Sequence, residues 1–166
     1  MATTRPPYTV RLAVEADIPT LARHRVAMFH DMGQLADGPE LERATAACLE
    51  ELMPRGLYLA WLAEDHAARH TVVGGAGVQL RAILPRPRTT APPVELGPEA
   101  IVLNVYVEPV WRRRGVAGAL MRELLAELSR RRIRRVVLHA SADGRRLYER
   151  LGFALTNEML LEIGES

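Results

Sequence analysis

The stretch from Ile101 to Leu120 constrains this chain more than any other part of it. Ile101 to Val107 is a short apolar run that ends at Glu108-Pro109, the pattern of a strand stopped by a proline. Arg112-Arg113-Arg114 then lead into Gly115-Val116-Ala117-Gly118. Beyond them Leu120, Met121, Leu124, Leu125 and Leu128 recur at helical spacing, so the order is strand, glycine-containing turn, helix N-terminus. The first turn of a helix has unpaired backbone N–H groups and the positive end of the helix dipole. Small residues at that turn let a phosphate approach the backbone, and three arginines add charge around it. The expectation is a diphosphate held by main-chain N–H groups within 112–118, beside a strand along which a ligand can lie.

The rest of the chain reads as an alternation of strands and helices around that unit. Residues 1–7 are expected to be a disordered lead. Tyr8 to Val14 alternates as a strand. Asp17 is placed as the N-cap of a helix with Pro19 in its first turn and Ile18, Leu21, Ala22, Val26 and Phe29 on one face. Gly33 is suited to end it. Asp37-Gly38-Pro39 reads as a turn, and a second helix spans Pro39 to Leu52 with Leu41, Ala44, Cys48, Leu49 and Leu52 as its apolar face. Leu57 to Ala63 and Thr71 to Ile83 read as strands, joined by a polar turn that exposes His66 and His70. Gly74, Gly75 and Gly77 fall inside the second of these strands, which indicates a bulge or a close backbone approach rather than a dinucleotide fingerprint. Residues 84–98 are rich in proline and are expected to be an irregular surface loop. A strand over 133–140, a short helix over 143–150 and a last strand over 153–163 complete the order. This pattern implies one α/β domain over 1–166, with helices on both faces of a mixed sheet.

Bulk properties exclude several classes. No run of about 18 apolar residues is present, so no membrane span is expected. The first residues lack the apolar core of a signal peptide, which gives a cytoplasmic expectation. The single cysteine, Cys48, permits no intrachain disulfide and no cysteine-based zinc site, and is expected to be buried filler. No HExxH or paired-histidine spacing is present, so no metal is expected. Net charge is +2 with a pI of about 9.1, and the chain has no lysine, so every fixed basic charge is an arginine. The arginines crowd into 111–150, where they suit a polyphosphate ligand. Arg130, Arg131, Arg132, Arg134 and Arg135 could also suggest nucleic acid, but no aromatic residues interleave them for base stacking, and no nucleic-acid partner is expected.

The segment Arg112-Arg113-Arg114-Gly115-Val116-Ala117 resembles the acetyl-CoA signature of the GNAT N-acetyltransferase superfamily: Gln or Arg, two residues, Gly, one residue, then Gly or Ala. Leu147-Tyr148-Glu149-Arg150-Leu151-Gly152-Phe153 is similar to the segment that closes the same fold, and Val73 to Gly77 resembles that family's hairpin strand. The resemblance covers 100–155 well and the N-terminal half by pattern only. It implies a GNAT-like α/β fold with a mostly antiparallel central sheet and a central strand pair that splays apart. It implies acetyl-CoA as cosubstrate, held by Val105, Tyr106, Val107, Arg112, Arg113, Arg114, Gly115, Val116, Ala117, Gly118 and Ser141, with pantetheine paired to backbone near Asn104. A backbone N–H near Val105 would stabilise the oxyanion.

The same resemblance places Tyr148 as general acid to the leaving thiolate, and a phenol suits that task in acidity. Glu108 and His139 are the two candidates for general base, with an ordered water chain as a third route. Many relatives have asparagine and alanine where this chain has Ser141 and Gly144, which suggests a subgroup with altered pantetheine contacts. In GNAT-like folds the two early helices border the acceptor site, so His24, His30, Asp31 and Gln34 are candidates for choosing the substrate. The alternative for each is a solvated helix face. The implied activity is acetyl transfer to a primary amine of a small molecule, amino-acid-like or antibiotic-like. The alternatives are transfer to a protein amine or a non-catalytic acyl-CoA-binding module, and a homodimer fits the family.

Overall fold

The computed structural model describes residues 6–35, 38–68, 71–89 and 91–162. The expectations for residues 1–5, Asp37, His70 and Ile163 lie outside them. In chain order the elements are β1 (Tyr8–Leu12), α1 (Ile18–Asp31), α2 (Pro39–Leu52), β2 (Tyr58–Asp65), β3 (Val72–Arg81), β4 (Arg86–Pro87), β5 (Val94–Glu95), β6 (Glu99–Val107), α3 (Val116–Arg130), β7 (Val136–Leu138) and α4 (Arg145–Arg150). The main sheet has the order β1-β2-β3-β6-β7. Its pairs are antiparallel except β6 with β7, which run parallel.

Strand periodicity divides the apolar residues between two faces. On β2, Tyr58, Ala60 and Leu62 pack with Ile18, Leu21 and Leu49 under α1 and α2. Trp61 and Ala63, the alternate positions, join Val73, Ala76, Val78 and Val102 beneath α3, whose Val116, Leu120, Met121, Leu124 and Leu128 supply the other half of that core. β3 runs between both layers and is buried along most of its length. Gly77 lies directly beneath Tyr58: a Cβ added there would stand 1.8 Å from the Tyr58 hydroxyl oxygen, so only glycine fits.

One irregularity sets the orientation of everything downstream. Gly75 pairs with Tyr106 and Gly77 with Leu103, so Asn104 and Val105 together stand opposite the single residue Ala76. Asn104 takes up the extra residue in the left-handed region, at φ 57°, which asparagine tolerates better than most residues. Inserting one residue reverses which face each later side chain meets. Ala100 and Val102 face the α3 core before the bulge, whereas Val105 and Val107 do so after it. Tyr106 is thereby turned toward His24 of α1, with ring centroids 5.0 Å apart.

At the opening of β6, Glu99 is 1% exposed. Burial opposes its ionisation, but Arg81 (2.5 and 2.9 Å) and Arg135 both donate to its carboxylate and hold its pKa below the ordinary range. Arg135 therefore serves the core, and Arg130 and Arg131 pair with Glu127, so part of the basic cluster has structural partners.

Several expectations are corrected. Asp17 does not cap α1. A 3₁₀ turn over Glu15–Asp17 runs straight into the helix, with the Ile18 N–H donating to Glu15 O. The Asp17 carboxylate instead accepts from the Val14 N–H (2.8 Å) and from Arg11 (2.7 and 2.8 Å). On α2 the buried face is Thr45 and Leu49, so Ala44 and Cys48 point outward and Cys48 is exposed. The long side chains Leu41, Leu49 and Leu52 fix the rotation of that helix, and the small ones follow. The proline-rich loop contains a short hairpin, β4 with β5, because Arg86 and Pro87 pair with Glu95 and Val94 across the turn. β7 holds only three residues of the expected strand over 133–140. The described part of the expected last strand, 153–162, is irregular and mostly exposed, and it pairs with no strand of the sheet.

Candidate active site

β6 and β7 pair at Ala100 with Val136, Ile101 with Val137 and Val102 with Leu138, and no pair follows. Beyond Val102 the two strands part, and the edge of β6 from Leu103 to Val107 is without a strand partner on that side. A ligand chain can add to such an edge through its backbone groups. On the other wall of the opening, His139 and Ala140 are exposed, and the chain turns through Ser141 into α4. Ser141 Oγ accepts the Gly144 N–H at 3.2 Å, so part of its hydrogen-bonding capacity closes that turn.

The far end of β6 delivers the chain to the turn that the sequence singled out. After Glu108 a 3₁₀ turn covers Pro109–Trp111, and both Arg113 (φ 64°) and Gly115 (φ 81°) are left-handed. At Gly115 the requirement is conformational, since an added Cβ would meet only the Tyr8 hydroxyl, at 3.7 Å. No side chain caps α3. The first amide bonded within the helix is Ala119 N–H to Gly115 O, so the N–H groups of Val116, Ala117 and Gly118 precede the ladder and are the ones an anion can use. Arg113 and Arg114 are exposed, the latter lying 5.2 Å over Trp111. Arg112 turns the other way: it donates to Val107 O (3.0 Å), pairs with Asp31 at the end of α1, and lies 5.8 Å over the Tyr106 ring.

Toward α1 the bulge presents Asn104, Tyr106 and Glu108. The Glu108 carboxylate accepts from Arg23 at 2.8 Å and from the Tyr106 hydroxyl at 3.4 Å. His24 Nε2 stands 3.7 Å from Glu108, yet His24 is 1% exposed and neither ring nitrogen has a hydrogen-bond partner. Burial, reinforced by Arg23 and opposed by Glu108, lowers its pKa to about 4, so it is neutral at pH 7. Burial, with Glu108 adding to it, raises the Tyr106 hydroxyl above its ordinary value. Tyr148, on α4, is half-buried against the α3 core and edge-on to Phe153 at 6.0 Å. Burial raises its hydroxyl pKa and keeps it protonated, the form a proton donor needs.

The expected site residues thus fall into three groups. Val105, Tyr106, Val107 and the 112–118 turn form one continuous path from the splay to the start of α3. Tyr148 and Ser141 lie on the wall beyond β7. Glu108 and His139 are not brought together: by register His139 is level with Leu103, and Glu108 lies five residues further along, about 16 Å at the rise of a strand. Among the early-helix candidates, Asp31 meets the cofactor turn through Arg112, His30 and Gln34 are exposed, and His24 is a core residue rather than a cleft-facing one. Nothing in the sequence sets Arg23 and Arg25 apart from other helix arginines. The bulge had two cues in the sequence, the glycines Gly75 and Gly77 on β3 opposite it and an asparagine inside the apolar strand β6.

Comparisons agree with this geometry. A model of the acetyltransferase (GNAT) domain matches residues 57–155. The structure is similar to a GCN5-related N-acetyltransferase from Ralstonia eutropha, at 30% identity and a TM-score of 0.80 over 94% of this chain and 98% of that one. It is also similar to a predicted acetyltransferase with acetyl-CoA from Clostridium acetobutylicum, at 24% identity and a TM-score of 0.79 over 94% and 96%. An aminoglycoside N-acetyltransferase in complex with CoA shares the fold at 15% identity, with a TM-score of 0.71 over the whole of both chains. Among curated proteins none matches the chain in sequence. With the domain match spanning more than half its length, the splayed β6–β7 pair and the uncapped α3 turn, the chain belongs to the GNAT family of acetyltransferases and is an acyltransferase.

Proposed function

We propose that this acyltransferase moves an acetyl group from acetyl-CoA directly to a primary amine of a small molecule in the cytoplasm. The observation that carries the reading is the continuous path from the unpaired edge of β6 to the uncapped N-terminus of α3. The residues fit the cosubstrate: a left-handed glycine opens the turn, three amides precede the helix ladder, and among the described residues no carboxylate pairs with Arg113 or Arg114 beside it. The acetyl-CoA and CoA of the two structural neighbours support the same cosubstrate.

Bound acetyl-CoA would supply the activated acetyl group as a thioester. Val116, Ala117 and Gly118 would bind its diphosphate through their N–H groups, with Arg112, Arg113 and Arg114 adding charge and Gly115 the turn. Val105, Tyr106 and Val107 would align the pantetheine arm, with Ser141 on the facing wall, and the Val105 N–H would stabilise the developing oxyanion. Glu108 is the better placed base, because it lies on the α1 side of β6 where the early helices border the opening. His139, at the mouth of the splay, would act only on a group that reaches that end. Tyr148 would give its proton to the departing sulfur.

The test is titration calorimetry with acetyl-CoA and with dephospho-CoA, followed by a thiol-release assay over a panel of amines. Micromolar donor binding and release of thiol with at least one amine are expected. Donor binding without turnover of any amine would favour a non-catalytic acyl-CoA module, and no binding would overturn the reading. A homodimer is also proposed. It is supported by the exposed apolar residues Leu155, Met159, Leu160 and Leu161 after Phe153, and light scattering tests it.

A further inference from the structure

α1 lays Arg23, His24 and Arg25 against the part of β6 that the bulge turns toward it. The charges on this face do not balance. Arg23 is matched by Glu108, and Arg112, which reaches the same face over Tyr106, is matched by Asp31. Arg25 is left over. Its guanidinium donates to a neutral oxygen, Asn104 Oδ1, at 3.0 Å, and lies 4.9 Å over the Phe29 ring. Among the described residues no carboxylate pairs with it.

Its setting is unusual for a spare charge. Arg25 is half-buried, and its anchor Asn104 is 5% exposed at the very point where β6 parts from β7. Beside that anchor the buried Tyr58 hydroxyl approaches the Asn104 side chain without making a well-formed hydrogen bond. A guanidinium held this way keeps further N–H donors in a planar fork that matches a carboxylate. An arginine with no acid of its own, fixed by a strained asparagine beside the acyl-transfer path, is poised for an acid that arrives with the substrate.

We propose that Arg25 binds a carboxylate of the acceptor, so that the substrate is an amine that also carries an acid group, such as an amino acid or a short peptide with a free C-terminus. This rests on the acetyl-transfer reading above. The amine is directed toward Glu108 and the acid toward Arg25. Their anchors on β6, Glu108 and Asn104, are four residues apart, at most about 13 Å along the strand, so the acceptor's two groups can be several bonds apart. A polycationic amine is disfavoured, since three guanidiniums on this face meet only two carboxylates.

The experiment compares matched acceptors in the thiol-release assay: amino acids and dipeptides against the same compounds with a C-terminal amide, for the wild type and for Arg25→Gln. The wild type should prefer the acid in kcat/KM by about ten- to a hundredfold, the usual effect of a charge-assisted pair. In Arg25→Gln that preference should collapse to within about threefold, with acetyl-CoA titration on the same preparation verifying the fold. Equal use of acid and amide by the wild type overturns the assignment whether or not the variant folds, and so does a preference that survives in Arg25→Gln. Donor binding with turnover of amides as readily as acids sinks the Arg25 role alone. Failure to bind acetyl-CoA, or to turn over any amine of either series, overturns the acetyl-transfer reading and the assignment together.

Discussion

His24 is a buried imidazole without a partner, and its cost should be readable as a pH dependence of folding. In the native protein burial and the neighbouring Arg23 lower its pKa from 6.5 to about 4, with the opposing pull of Glu108 insufficient to compensate. The unfolded chain therefore takes up a proton as pH falls through about 6.5, while the folded protein does not until about 4. Protonation in that window favours the unfolded state, so stability falls with decreasing pH. Proton linkage between those two values removes about 2 kcal/mol between pH 7.5 and pH 5, or about 4–8 °C in Tm for a chain of this size. Asp17, Glu99 and Glu127 add little in this window, because their native pKa values are lowered and they release their stabilisation only as pH falls below their unfolded values of 3.8 to 4.5. Urea unfolding at pH 7.5, 6 and 5, followed by the fluorescence of buried Trp61, measures the slope. His24→Leu removes the titrating group and both orphaned nitrogens and should flatten the profile over this range. If the Leu variant keeps the wild-type slope, or the wild type is flat from pH 7.5 to 5, the account of His24 is wrong.

Three other perturbations probe separate parts of the structure. Gly115→Asp forces a side chain into a left-handed turn and sets an anion at the dipole's positive end, so acetyl-CoA affinity should fall at least about tenfold; unchanged calorimetric binding would remove the diphosphate from this turn. Tyr148→Phe should lower kcat by about a hundredfold or more with donor affinity within about twofold, and undiminished turnover would rule out the general-acid role. Gly77→Ala puts a methyl group 1.8 Å from the Tyr58 hydroxyl oxygen, so it should destabilise the fold by about 1–3 kcal/mol in urea; a variant as stable as wild type would mean that Tyr58 can swing away freely.

The elements around the cofactor turn were legible in the sequence because their causes are local. A proline stops β6, glycine opens α3, and the leucine spacing of 120–128 specifies a helix whatever lies beside it. The span of α2 was readable for the same reason, but its rotation was not. Which side of a helix is buried depends on what packs against it, so Cys48 proved exposed. The last strand failed in a similar way. Composition can propose a strand, but only hydrogen bonds to a neighbour make one, and 153–162 pairs with no strand of the sheet.

The chain by itself therefore determined the order of elements, the glycine turn and the family resemblance, all of which depend on residues near one another in sequence. The tertiary structure decided which side chains share the acceptor face. One left-handed residue, Asn104, shifts β6 by one position against β3, which turns Tyr106 and Glu108 toward α1 and brings them to Arg23, His24 and Arg25, some eighty residues earlier. Which residue takes up the bulge is settled only when β6 pairs with β3, and a one-residue shift there moves every later side chain to the other face.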